Sequence, residues 1–254
     1  MEKIKHFNVN IQKNENNLLT RENYCKPTDE LDYKEKKNIK NLNDFYKLHG
    51  RKPGLFPVPD YYFNIPNELF ADEEHYTKEF VDSHYQNCMK NFDLNMNYFN
   101  SLDHDKFNIS LNSFVKKNGF KEEFDLNNLN EVEGFYIIVL DKYNQVYIGM
   151  TNNIKKRILS HWSKKKHFSR LISGTVDNSI LSIDSFGALD TTRIFYKKLN
   201  WYNDINKLEE KYIDSFNSKY VLNRVSGGLN GETDSTLRNM QLISNKRNRE
   251  LNKG

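Results

Sequence analysis

The stretch Gly134–Gly149, GFYIIVLDKYNQVYIG, decides how this chain is read. Two short apolar runs, Gly134–Leu140 and Val146–Gly149, flank a polar turn, and each run carries a tyrosine close to a glycine. Aromatic and β-branched residues favour strands, and Asp141, Lys142 and Asn144 supply turn chemistry, so the stretch predicts a β-hairpin. Register then decides which side chains share a face. A four-residue loop, Asp141–Asn144, sets Ile138 opposite Tyr147 and Tyr136 opposite Gly149. Tyr136 and Tyr147 then point to one side, and Gly149 leaves room above Tyr136. A loop one residue longer puts the two on opposite faces. Two ordinary strand tyrosines are the plain alternative.

Downstream, Thr151, Asn152 and Asn153 are N-cap residues for a helix starting at Ile154. Ile154, Ile158 and Trp162 recur at i, i+4, i+8 as an apolar stripe. Arg157 and His161, four residues apart, flank that stripe and can reach something bound against the hairpin. Lys164, Lys165 and Lys166 extend the same cationic helix, although such a run also suits a solvated face.

A second helix is predicted over about Asp204–Asn217, with Ile205, Leu208, Tyr212, Ile213 and Phe216 as its apolar stripe. Glu209 falls inside the stripe, between Ile205 and Ile213, while Lys207, Glu210, Lys211 and Asp214 fall on the opposite face. A carboxylate facing a core is costly unless it is paired or metal-bound. Glu209 is therefore either a ligand or one half of a structural ion pair with Arg157 or Arg193.

GFY, then YIG with eleven residues from tyrosine to tyrosine, then NNIKKRILSHW, LEEKYI and LNRVSGG together resemble the GIY-YIG nuclease family, over about residues 133–228. The first triplet has Phe135 where isoleucine is usual. The resemblance implies an α+β fold, with a small three-stranded antiparallel sheet covered by helices. Its strands are Gly134–Leu140, Val146–Met150 and about Arg193–Leu199. It implies a catalytic set of Tyr136, Tyr147, Arg157, His161, Glu209 and Asn223, with Glu209 holding Mg²⁺ or Mn²⁺. Arg157 is expected to pair with a phosphate oxygen, and Tyr136 to act as general base. His161 and Tyr147 are expected to position water or relay a proton, and Asn223 to order the site. The base role asks for a Tyr136 pKa well below about 10, lowered by Arg157, metal or lysine charge. The segment His167–Thr192 is long for the family, which leaves its path open.

The implied activity is metal-dependent hydrolysis of DNA phosphodiester bonds, in restriction, phage defence or DNA degradation. A non-catalytic nucleic-acid-binding or protein-interaction module on the same fold is the alternative, as is a nuclease acting on RNA or branched DNA. Charge agrees with a polyanionic partner. Residues 131–254 carry 20 Lys and Arg against 13 Asp and Glu, a net of +7, while residues 1–130 carry 18 against 21, a net of −3. Lys164, Lys165, Lys166, Arg238, Lys246 and Arg247 are the nucleic-acid-binding candidates, the last three on a basic C-terminal helix or tail over residues 231–254.

The chain has 254 residues, 37% hydrophobic and 13% aromatic, with a mean hydropathy of −0.84. No run suits a bilayer and no secretory signal is visible at the N-terminus. Cys25 and Cys88, read as isolated thiols, suggest a reducing cytoplasm. Residues 1–40 read as a polar, flexible arm, and residues 41–130 as a mainly helical accessory domain of unknown role. That region is a candidate surface for a homodimer or a regulatory partner. Within it, Pro53, Pro57, Pro59 and Pro66 exclude a helix over 51–66. Asp72–Leu102 and Phe107–Phe124 read as helical units, and Leu126–Asn130 as a linker ahead of the nuclease-like domain over 131–230. His84 reads as a satisfied core histidine, and Asp103-His104-Asp105 as a helix-end motif, not a metal site.

Overall fold

The structure is a computed structural model that describes residues 2–25, 78–163, 166, 168, 171–172, 175–177, 179–199 and 205–223. The proline-rich stretch, the C-terminal basic helix and the region of Arg238, Lys246 and Arg247 lie outside the described residues, as do Lys164 and Lys165.

The hairpin forms with the four-residue loop. Strand β4 (Gly134–Leu140) runs antiparallel to β5 (Gln145–Thr151), with Tyr136 opposite Gly149 and Ile138 opposite Tyr147. Asn144 closes the turn in the left-handed region at φ 52°, which asparagine tolerates better than most residues. On the other side β4 pairs antiparallel with β6 (Arg193–Lys198), placing Ile138 beside Ile194.

The sheet has four strands, not the three expected. β3 (Lys121–Glu122) pairs with β6 at Tyr196 and Phe195, giving the order β3-β6-β4-β5. Two charged residues carry no alternating pattern, so sequence periodicity has nothing to detect there.

All seven residues of β4 are buried, because helices cover both faces of the sheet. On one face Phe135, Ile137, Val139, Val146, Ile148 and Phe195 pack with helix α3 (His104–Asn118) and α5 (Ile205–Ser215). On the other, Tyr136, Ile138, Leu140 and Ile194 pack with α2 (Lys78–Asn100) and α4 (Ile154–Ser163). Phe135 meets Tyr212 of α5 edge-on, at 5.0 Å between ring centroids, so the larger ring at the usual isoleucine position is taken up by an aromatic partner.

The separation expected at residue 130 is absent from the packing, because α2 and α3 share their apolar clusters with the sheet. The stretch Leu126–Leu129, read as a linker, is a 3₁₀ turn in which both leucines are fully buried. Nor is the start of the polar arm structureless. β1 (Lys3–His6) and β2 (Val9–Gln12) form a hairpin, and a short helix α1 (Arg21–Tyr24) follows. Ile4 and Ile11 are paired in it, too sparse an apolar pattern to stand out among Asn and Lys.

The smaller motifs fall as read. Asp103 caps α3, its carboxylate accepting from the Lys106 amide at 3.0 Å, and His104 is bonded to Asn144. His84 stacks on Phe80 and bonds the Phe168 carbonyl at 2.9 Å. The two cysteines are not isolated from each other: both are buried, and Cys25, followed by His84, draws the Cys88 thiol below its usual value.

Candidate active site

Each element brings one part of the site to the face of the hairpin that carries the tyrosines. β4 supplies Tyr136, fully buried, and β5 supplies Tyr147, half-buried, with 6.1 Å between ring centroids. A Cβ at position 149 would stand 2.5 Å from both Cζ and Oη of Tyr136, so the ring occupies the space that only glycine leaves free.

Helix α4 starts where Asn153 accepts from the Lys156 amide at 2.9 Å. Ile154 and Ile158 point into the core and anchor the helix. That orientation turns Arg157 and His161 toward the tyrosines. The Arg157 guanidinium acts electrostatically on the hydroxyls of both Tyr136 and Tyr147, drawing each phenol down. His161 is 5% exposed, and its Nε2 lies 2.9 Å from Tyr136 Oη. Its ring also meets Tyr147 edge-on at 5.1 Å.

Helix α5 supplies Glu209, which is 7% exposed among apolar neighbours, as the stripe required. It stands within electrostatic reach of both tyrosines. Arg193, one of the two ion-pair partners considered for it, is instead engaged by Asp141 and Asn108.

Asn223 works from the sheet edge. Its Oδ1 accepts from the Ile148 amide at 3.0 Å, and its Nδ2 donates to the Ile148 carbonyl at 2.6 Å. It thus pairs like a strand residue between Tyr147 and Gly149, continuing the parallel bridge of Val146 to Val221. Lys166 lines a cavity of about 710 Å³ between α4 and the N-terminal segment, and Asp184 is part of its wall.

The protein's own groups do not, on balance, lower the Tyr136 phenol. The Tyr136 phenol is pushed well above 10, first by burial and then by the neighbouring Tyr147; Arg157 pulls the other way without prevailing. Tyr147 is raised as well, again chiefly by burial. The sequence shows which cations approach the phenol but not how completely the helices shield it from water.

One residue escaped sequence reading altogether. Asp184, in the 3₁₀ turn Ile183–Ser185, sets its Oδ1 2.7 Å from His161 Nδ1. It lies on the long segment whose path was open, and a lone aspartate in LSIDSF carries no pattern.

Side chains from β4, β5, α4 and α5 thus converge in a site that can bind a phosphate through Arg157 and move a proton through Tyr136 and His161. Residues 132–221 match the family model of the GIY-YIG catalytic domain, as the motifs implied. This segment is thus a nuclease-family domain, and it takes in under half of the chain. No curated protein and no solved structure matches the chain. Among the described residues no helix is long and apolar enough to cross a membrane.

Proposed function

We propose that the protein is a metal-dependent endonuclease that hydrolyses DNA phosphodiester bonds. The observation that carries this reading is the convergence of Arg157, His161 and Glu209 on the paired tyrosines of one hairpin face. A role in restriction, phage defence or DNA degradation fits that chemistry.

The residues suit a divalent cation of one kind. Among the described residues no three His, Cys, Asp or Glu side chains gather as a metal cage. A buried carboxylate facing the same tyrosines as an arginine suits Mg²⁺ or Mn²⁺, hard ions that keep waters and share oxygens with a substrate phosphate. Glu209 would hold it, and when bound the ion supplies charge stabilisation at the scissile phosphate.

The chain's own residues do the rest. Arg157 binds a non-bridging phosphate oxygen through its planar fork. Tyr136, too buried to ionise by itself, passes its proton to His161 Nε2 while its oxygen takes one from the attacking water. The resulting hydroxide oxygen bonds to phosphorus, and the P–O bond to the leaving strand breaks. The leaving oxygen takes a proton from solvent, and the imidazolium returns one to solvent. Tyr147 borders the water's approach, and Asn223 holds β5 in register. Lys164, Lys165 and Lys166 follow α4 in sequence and are the candidates to meet a DNA backbone leaving the site.

Supercoiled plasmid cleavage with Mg²⁺, Mn²⁺ or EDTA, with Glu209→Gln alongside, tests this reading. Nicking or linearisation that needs both metal and Glu209 is the expected outcome. Full activity in Glu209→Gln removes the metal assignment. Binding without cleavage under every condition favours a non-catalytic module. Faster cutting of RNA or branched DNA than of duplex moves the substrate.

A further inference from the structure

Asp184 completes a three-residue chain that the catalytic motif does not contain. Its carboxylate lies 2.7 Å from His161 Nδ1, and His161 Nε2 lies 2.9 Å from Tyr136 Oη. An ionised carboxylate can only accept, so the shared proton sits on Nδ1. A neutral imidazole protonated there has a bare Nε2, and the bare nitrogen must be the acceptor of its other bond. Tyr136 Oη is the group that faces this nitrogen at 2.9 Å, so the phenol donates its own proton to His161. The donors and acceptors close in one direction only: Tyr136 to His161 to Asp184.

We propose that Asp184 is a positioning residue for this site, selecting the His161 tautomer with a bare Nε2 that takes the Tyr136 proton. The inference rests on the nuclease reading for its consequence in rate, but not for the tautomer itself. It follows the logic by which a buried carboxylate orients a catalytic histidine in other hydrolases. Here the carboxylate also faces the imidazolium formed when the proton arrives. Asp184 is 22% exposed at its side chain and His161 only 5%, so the pair is shielded without being sealed off.

The turn that carries Asp184 is itself built to be rigid. Two residues on, the Phe186 amide closes the turn on the Ile183 carbonyl at 3.1 Å. Gly187 donates to Asp190 Oδ2 at 2.8 Å, and the same oxygen accepts from the Leu19 amide at 2.7 Å. Asp190 Oδ1 accepts from Tyr143 Oη at 2.9 Å. The long segment between α4 and β6, and the N-terminal strand of chain packed on it, therefore act together as the support of one aspartate.

The test uses the full chain and two variants, Asp184→Ala and the isosteric Asp184→Asn, each checked for folding by its amide NMR spectrum. Side-chain ¹⁵N NMR reads the His161 tautomer, assigned by loss of its signals in His161→Gln. In the wild type, Nδ1 should be the protonated nitrogen. In Asp184→Ala the population should move toward the Nε2-protonated form. Plasmid cleavage should fall on the order of 100-fold in kcat in both variants, with KM for DNA little changed. His161→Ala added to Asp184→Ala should cost little more, because both act through one proton path. A His161 tautomer unchanged in a folded Asp184→Ala overturns the proposal, whether or not the protein cuts DNA. So does a kcat loss that simply multiplies with that of His161→Ala. A wild type that shows the Nδ1-protonated tautomer but cuts nothing leaves Asp184 in place and removes the nuclease reading instead.

Discussion

Tyr136 is fully buried, with its hydroxyl 2.9 Å from His161 Nε2 and within electrostatic reach of Arg157. A phenol held well above 10 does not work by being ionised at rest; it works by exchanging one proton for another. Tyr136→Phe should therefore lower cleavage by about 10²–10⁴-fold while the fold persists. Equal activity in plasmid cleavage by that variant removes the tyrosine from the proton path. Gly149 is bound to the same ring by space alone. Gly149→Ala puts a methyl 2.5 Å from Tyr136 Oη, against a ring already closed in by the core. It should cost about 1–3 kcal/mol in urea unfolding and reduce cutting as well. Ile148→Val is the control, since Ile148 belongs to the cluster on the opposite face of the sheet. It should cost about 0.5–1.5 kcal/mol and leave cleavage intact.

Strand β5 is an edge strand, and an edge that carries Tyr147 of the proposed site has to be held. Asn223 does this with two side-chain bonds to one backbone residue. Asn223→Ala leaves the Ile148 amide and carbonyl unpaired and should cost about 1–3 kcal/mol, read as a lowered urea midpoint. Faster amide exchange at Ile148 than at β4 residues would localise the loss to that edge. Strong periodic elements of this fold were legible in the chain: the register of the hairpin, the apolar stripe of α4, and Glu209 standing inside the stripe of α5. Each follows from a repeat of two or of about 3.6 residues. What was not legible has no repeat. β3 is two residues long, the turn at Leu126–Leu129 is buried through tertiary contact, and Asp184 meets His161 across a gap of 23 residues. The tyrosine pKa belongs to the same class, since the shielding that raises it comes from elements distant in sequence.

At the scale of the molecule, the N-terminal hairpin and helix α4 are fastened together at His6. The His6 ring lies 4.7 Å from Phe7 and 5.3 Å from Trp162 of α4, and its Nε2 bonds the Thr191 carbonyl at 3.0 Å. Trp162 in turn donates to Thr191 Oγ1 at 2.9 Å. Burial lowers the His6 pKa below its usual 6.5, outweighing the carbonyl bonds to Thr191 and Ala188 that favour the charged form. Between the lowered folded value and 6.5 the unfolded chain binds more protons than the folded one. Stability therefore rises with pH across that window and is lost as pH falls through it. Asp190 has the opposite sign: burial raises its carboxyl, so its own contribution falls as pH rises above 3.8. A comparison of variants separates the two. The urea midpoint of the wild type should drop more between pH 7.5 and pH 5.5 than that of His6→Asn, which cannot take up the proton. Limited proteolysis at pH 5.5 should cut residues 2–25 sooner than at pH 7.5 in the wild type only. Equal pH dependence in the two proteins places the acid sensitivity elsewhere. The same hairpin segment backs the turn that carries Asp184, through Leu19 and Asp190. Loosening it by acid should therefore reach His161, and cleavage should fall over the same interval in which the hairpin becomes open to protease.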